Sequence, residues 1–164
     1  MVDAGMVMYE EEFKEVDVEL NKLHQQANAK VTFLVDKNGQ LIACVGETQN
    51  VDTTSLASLT AGNIAATGGM AKLLGETEFS ILFHEGERDN IHISIIGQRI
   101  ILVVVFDQRS SLGLVRLRVK KSAGTFSQIF EKILKKVEKE TGVVKAPHSP
   151  FAEITEEDID KLFS

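Results

Sequence analysis

The sequence predicts an α/β protein of the α+β type: a five-stranded antiparallel sheet and three helices in the order α-β-β-α-β-β-β-α. Three observations carry this. Apolar residues recur at helical spacing in three segments, and five short apolar runs are bounded by turn residues. Hairpin-sized connections dominate, so parallel crossovers are not indicated. Length agrees with one domain and a short extension, because 164 residues, 43% apolar and 26% charged, suffice for one proper core.

In chain order, Phe13, Val16, Leu20, Leu23 and Ala27 recur at three- and four-residue steps, which predicts an amphipathic helix over Glu10–Ala27. Val31–Asp36 and Leu41–Val45 read as two strands around Asn38-Gly39, a pair suited to a type I′ hairpin turn. A second helix is expected after Asp52 or Thr53, either of which can cap it, with Gly75 as its stop. Strands are then expected over Glu78–His84, Ile91–Gly97 and Arg99–Phe106. Ile91, Ile93 and Ile95 alternate with His92 and Ser94, as in a strand with one more polar face, whereas Ile100–Phe106 reads as a central strand covered on both sides. Residues 112–140 begin with an alternation that suits a strand, but Phe126, Ile129, Phe130, Ile133, Leu134 and Val137 fit only a helix. Extending that phase backwards includes Val119, Val115 and Leu112, so one long helix containing Gly124 is the expectation. The organisation is therefore a domain over 7–140, a linker over 141–150 and a tail over 151–164.

The single cysteine, Cys44, excludes an internal disulfide framework and a cysteine-based zinc site, and reads as a small buried hydrophobe. No apolar run approaches a bilayer span and no leader precedes the first helix, so a cytosolic protein without membrane insertion is expected. A net charge of −6 speaks against nucleic acid as the main partner. That sum hides an asymmetry: residues 1–29 carry two basic and seven acidic groups, 99–145 eleven basic and four acidic, and 146–164 one basic and five acidic. The basic segment either meets an acidic partner or faces the chain's own acidic ends.

Catalytic motifs are missing. Gly68-Gly69-Met70-Ala71-Lys72 looks superficially like a phosphate loop, yet it falls within a helix and lacks Ser or Thr after the lysine. His24, His84, His92 and His148 fall on four different elements without metal-ligand spacing. No catalytic residue, metal site or cofactor is expected.

Two surfaces invite partners instead. A helical projection of the second helix puts Leu56, Leu59, Thr60, Asn63, Thr67, Met70 and Leu74 on one side, expected to face the sheet. The opposite side collects Ser58, Ala61, Ala65, Gly68, Gly69 and Lys72, with Gly62 at its margin. A solvated face normally carries Glu, Lys or Arg, and each glycine costs about 1 kcal/mol of helix propensity. Such a face suits close approach of another backbone. The second surface is the tail, where Thr155 and Asp158 resemble a capping box and Ile154 and Ile159 a hydrophobic staple. Phe151, Ile154, Ile159, Leu162 and Phe163 make it too apolar to be idle. It either docks on its own domain or enters a partner's groove.

The element order resembles the Roadblock/dynein light chain family, and in particular a bacterial branch that partners a Ras-like small GTPase. The carrying segments are Val7–Phe13, Phe33–Ile42, Asp52–Gly69, Phe106-Asp107 with Ser110–Arg118, and the Ser149–Phe163 tail. The resemblance implies a homodimer whose third strands pair at the sheet edge, and paired second helices that meet the GTP-bound GTPase. Ala65, Ala66, Gly68 and Gly69 would then lie at the contact, with Lys72, Arg116 and Lys120 as basic contributors. It implies GTPase activation in bacterial cell polarity and motility without an arginine finger, and a tail that binds the GTPase away from the nucleotide and modulates exchange. It implies a cytoplasmic protein concentrated at a cell pole. The competing expectation is a dimerisation scaffold that leaves GTP turnover unchanged.

Overall fold

The computed structural model describes residues 10–141. The expectations for residues 7–9, the 142–150 stretch and the 151–164 tail lie outside it. Eight elements follow in order: α1 (Glu10–Gln26), β1 (Val31–Asp36), β2 (Leu41–Gly46), α2 (Thr53–Leu74), β3 (Ile81–Glu85), β4 (Asn90–Ile96), β5 (Ile100–Phe106) and α3 (Leu112–Thr141). The order is the expected one, and the 112–141 segment is a single helix with Gly124 inside it. The third strand is shorter than expected, starting at Ile81 rather than Glu78.

The strands form one antiparallel sheet in the order β2-β1-β5-β4-β3. All seven residues of β5 are buried, because helices cover both faces of the sheet at its centre. Leu102, Val104 and Phe106 share one core with Val16, Leu20 and Leu23 of α1 and Val115, Val119 and Phe126 of α3. Ile101, Val103 and Val105 join Val31, Phe33, Ile93 and, from α2, Ala57 and Ile64 in a second core on the other face. The layers are thus α1 and α3, the sheet, and α2 alone.

Local chemistry sets the element ends. Asp52 caps α2, its carboxylate accepting from the Ser55 N–H at 3.1 Å and the Ser55 hydroxyl at 2.6 Å. Gly75 closes that helix in the left-handed region at φ 77°. The β1–β2 turn is not type I′, which needs positive φ at both central residues: Gly39 has φ 91° but Asn38 does not. The Asp36 carboxylate accepts from the Asn38 and Gln40 N–H groups at 2.9 Å each, and a bulge at Leu34/Val35 absorbs the longer loop. Gly46, at φ 111°, lies where a Cβ would strike the Lys30 carbonyl and the His24 ring.

The charge asymmetry resolves partly within the α1/α3 layer. Lys132 pairs with Glu15 at 3.7 Å, Lys136 with Glu12, and the Ser122 hydroxyl donates to Glu19 at 2.9 Å. The Lys136 ammonium holds the Glu12 carboxyl below its ordinary range.

The alternation expected in β4 has a buried outcome on both faces. Its more polar side does not meet water: His92 and Ser94 are buried beneath the α3 layer, at 1% and 6% exposure. Neither His92 ring nitrogen nor the Ser94 hydroxyl has a partner. Burial, with a smaller contribution from the Arg116 charge, lowers the His92 pKa, and burial likewise lowers that of His24.

Two outcomes follow for stability. The folded state disfavours protonated His92 and His24, so between the depressed folded values and the unfolded value near 6.5 the unfolded chain binds more protons. Stability therefore declines as pH falls below about 6.5, by up to about 1.4 kcal/mol per pH unit for each histidine. Thermal melts from pH 7.5 to 5.5 show this slope, and His92→Leu reduces it while His24 keeps the remainder. Gly46→Ala lowers stability by more than about 2 kcal/mol in denaturant titrations, because the new Cβ meets both backbone strain and a clash.

Candidate functional site

Among the described residues, helix α2 has no second helix beside it, and its orientation departs in part from expectation. The side turned to the sheet buries Ala57, Thr60, Ala61, Ile64 and Ala71, with Leu56 partly buried against the same core, so Leu56 and Thr60 face inward as expected and Ala61 does so against expectation. Leu59, Met70, Leu73 and Leu74 are exposed, Leu59 at 71% and Leu73 at 89%. The physical reason lies in β1, β4 and β5, whose large Phe33, Ile93, Ile101 and Val103 side chains fill this core. Little room remains for bulk on the helix, so small residues let it approach.

The small-residue set therefore divides. Ala61 packs inward and Gly68 is half-buried, whereas Ala65, Ala66, Gly69 and Lys72 are exposed. Ala65, Gly68, Gly69 and Lys72 border one groove of about 870 Å³ with Lys37 and Asn38 of the β1–β2 turn, the Thr77–Phe79 segment, and Gln98 and Arg99 before β5. A Cβ at Gly62, Gly68 or Gly69 would meet nothing within 4 Å. Nothing in the fold of one chain thus requires glycine at these three helical positions, despite the propensity lost.

The opposite flank of α2 overlooks β3, where the Asn63 amide nitrogen lies 3.2 Å from His84 Nε2. β3 is an edge strand, and Ile81 on it is 52% exposed. An open strand edge beside exposed Leu59, Met70, Leu73 and Leu74 forms an apolar surface of a kind that monomers seldom leave bare. Sequence reasoning missed these leucines and Met70 as surface residues. The signal was available, since large apolar residues occur on more than one side of α2.

Other expected site residues fall elsewhere. Arg116 and Lys120 are exposed, but on α3, across the sheet from α2; a single flat contact on α2 does not include them. Phe151, Ile154, Ile159, Leu162 and Phe163 lie outside the described residues.

Chemically the surface binds rather than reacts. Cys44 is half-buried and its thiol pKa is pushed up by burial, which disfavours the nucleophilic thiolate. Arg109 is engaged: it reaches Asp107 at 2.9 Å and Glu47 at 3.3 Å, tying the end of β5 to the end of β2. Among the described residues, no three His, Cys, Asp or Glu side chains converge as metal ligands, and no helix is long and apolar enough to cross a membrane.

Residues 15–106 match the Roadblock/LC7 domain. The chain belongs to that family. Its structure superposes on Myxococcus xanthus MglB with a TM-score of 0.73 and 55% sequence identity, covering 81% of this chain and 95% of that one. A gliding protein MglB from Thermus thermophilus follows at TM-score 0.70 and 30% identity, covering 80% and 95%. An MglB with a tetrameric arrangement gives 0.69 and 32%, covering 81% and 95%. Within the Roadblock/LC7 family the chain is therefore MglB-like. No curated protein sequence matches it.

Because open space surrounds Gly69, Gly69→Arg keeps the fold. Its unfolding free energy stays within about 1 kcal/mol of the parent, since a residue other than glycine also gains helix propensity. Far-ultraviolet circular dichroism with denaturant titration checks this.

Proposed function

We propose that this chain is a regulator of a Ras-like small GTPase of the MglA type, without catalytic residues of its own, that accelerates GTP hydrolysis as a homodimer. The single observation carrying the reading is the 55% identity to Myxococcus xanthus MglB across 81% of the chain. The geometry supports it. The open β3 edge and the exposed Leu59, Met70 and Leu73 offer a self-complementary surface for a second copy. Pairing there brings the two α2 helices together, and the exposed Ala65, Ala66 and Gly69 with Lys72 leave a low-profile surface on which a partner backbone can rest.

Activation without a donated catalytic group is physically sufficient. Phosphoryl transfer depends mainly on positioning and electrostatics, so holding the GTPase's own groups in the competent arrangement accelerates turnover. The tail residues Phe151, Ile154, Ile159, Leu162 and Phe163 provide a further contact with the GTPase, away from the nucleotide, that modulates exchange. The Thermus relative's description as a gliding protein agrees with a role in cell polarity and motility, and hence with a cytoplasmic protein gathered at a cell pole.

Single-turnover GTP hydrolysis by an MglA-type GTPase is expected to speed up with the parent chain and not with Gly69→Arg. Equal acceleration by both would remove α2 from the contact. No acceleration by the parent, with binding retained, would leave a scaffold. Met70→Glu with Leu73→Glu, both exposed and outside the cores, is expected to stay folded and sediment as a monomer in analytical ultracentrifugation.

A further inference from the structure

Beneath α3, β4 carries two polar side chains into an apolar core. His92 and Ser94 are 1% and 6% exposed, and neither the two ring nitrogens nor the hydroxyl has a hydrogen-bond partner among the described residues. Their cross-strand neighbours are apolar: Phe83 of β3 and Val104 of β5 lie opposite His92, and Ile81 and Leu102 opposite Ser94. Arg116 on α3 is the charge that acts on the ring. Glu85 shares the Phe83 face of β3 but is exposed at the end of the strand, and Asn90, two residues before His92, is uncharged. A neutral imidazole there forgoes its hydrogen bonds. An imidazolium costs far more, because no acceptor meets it and Arg116 repels it.

A protonated ring requires water, and the elements that cover it are held with unequal firmness. α3 buries Val115, Val119, Phe126 and Ile129 in the same core and is tied to α1 by Lys132–Glu15, Lys136–Glu12 and the Ser122–Glu19 hydrogen bond. β3 is an edge strand with one ladder. Its contribution to that core is Phe83, which is partly buried and stacks on Phe106 at a centroid distance of 6.2 Å. Ile81, opposite Ser94, is already 52% exposed. Displacing β3 therefore uncovers the ring at smaller cost than lifting α3.

The register of the sheet ties His92 to that edge strand. The Ile95 N–H donates to the Ser80 carbonyl at 2.9 Å, so by alternation the N–H groups of Ile91, Ile93 and Ile95 point to β3 and those of His92 and Ser94 to β5. His92 and Phe83 are then a non-hydrogen-bonded pair, the closer kind, with Cα atoms about 4.5 Å apart. A change of charge at His92 acts directly on the side chain that holds β3 to the core.

We infer that His92 is an acid-sensitive latch on the edge strand: when it takes up a proton from solvent, β3 moves away from β4 to admit water to the ring, while β1, β5 and the helices keep their places. The latch lies within one chain and goes beyond the GTPase reading. A second copy paired along β3 would hold the strand closed, so that pairing and proton uptake by His92 oppose each other.

The test is amide hydrogen exchange on the full chain, without any GTPase, at pH 7.5 and 5.5 and corrected for intrinsic rates, with low denaturant added to separate local from global opening. The amides of Ile91, Ile93 and Ile95 are expected to exchange through an opening nearly independent of denaturant. That opening is expected to become up to about tenfold more populated at pH 5.5, the limit for one imidazole that titrates near 6.5 in the open form. Amides of β5 are expected to exchange through denaturant-dependent global unfolding. His92→Leu and His92→Gln, one apolar and one polar but neither titrating, are each expected to keep the local opening and lose its pH dependence. Exchange of the three isoleucine amides only with the global class, at both pH values, overturns the inference. A pH dependence that survives in both variants assigns it to another group and overturns it too. Loss of protection at Val115–Val119 in place of β4 shows α3 lifting, and overturns it as well.

Discussion

The burial of β5 on both faces is the constraint on which the rest of the structure depends. A strand with seven consecutive buried residues needs a complete layer on each side and a paired strand along each edge. β1 and β4 supply the edges, α1 and α3 one layer, and α2 the other. Because β5 fills both cores with branched side chains, each covering element must fit the space that remains. Two helices share one face and bring Leu20, Leu23 and Phe126 into it; a single helix covers the other and contributes Ala57 and Ala61. The unequal distribution of bulk between the layers follows from this division.

That division also accounts for where the surface is apolar. A helix that buries alanines against the sheet places much of its bulk elsewhere, and α2 turns Leu59, Met70, Leu73 and Leu74 outward beside the edge strand β3. The same protein keeps charge on its other side, where the acidic α1 and the basic α3 neutralise each other through Glu12–Lys136 and Glu15–Lys132. The two faces of the sheet therefore offer different recognition chemistry, one dominated by shape and apolar contact and the other by charge.

Much of the fold is legible in the sequence. The period of Val16, Leu20 and Leu23, the uninterrupted apolar run of β5, the Asp52 cap and the Gly75 stop are local signals, and each predicts its element. The face that α2 turns to the sheet is not legible, because helical periodicity groups residues onto sides without saying which side a neighbouring sheet will accept; the packing of Phe33, Ile93 and Ile101 decides that. The burial of the polar side of β4 is not legible for a related reason. Alternation identifies two faces, but only the position of α3 makes His92 a buried residue. Arg116 and Lys120 look like members of one site with Lys72 because charge in a sequence carries no indication of layer. The Asn-Gly pair marks a turn, while the Asp36 carboxylate, accepting two backbone N–H bonds, determines its type.

The exposed side of α2 has a consequence beyond recognition. A protomer that leaves Leu59, Leu73 and Ile81 in water has not completed its burial, and in the proposed dimer a second copy supplies the remainder. Folding and assembly are then linked by mass action, so the concentration of the chain itself becomes a variable of its stability. Wherever the protein is gathered to high local density the assembled state is reinforced, and on dilution it loses that support. Crowding copies together thus consolidates the folded molecule, with no covalent change and no additional ligand.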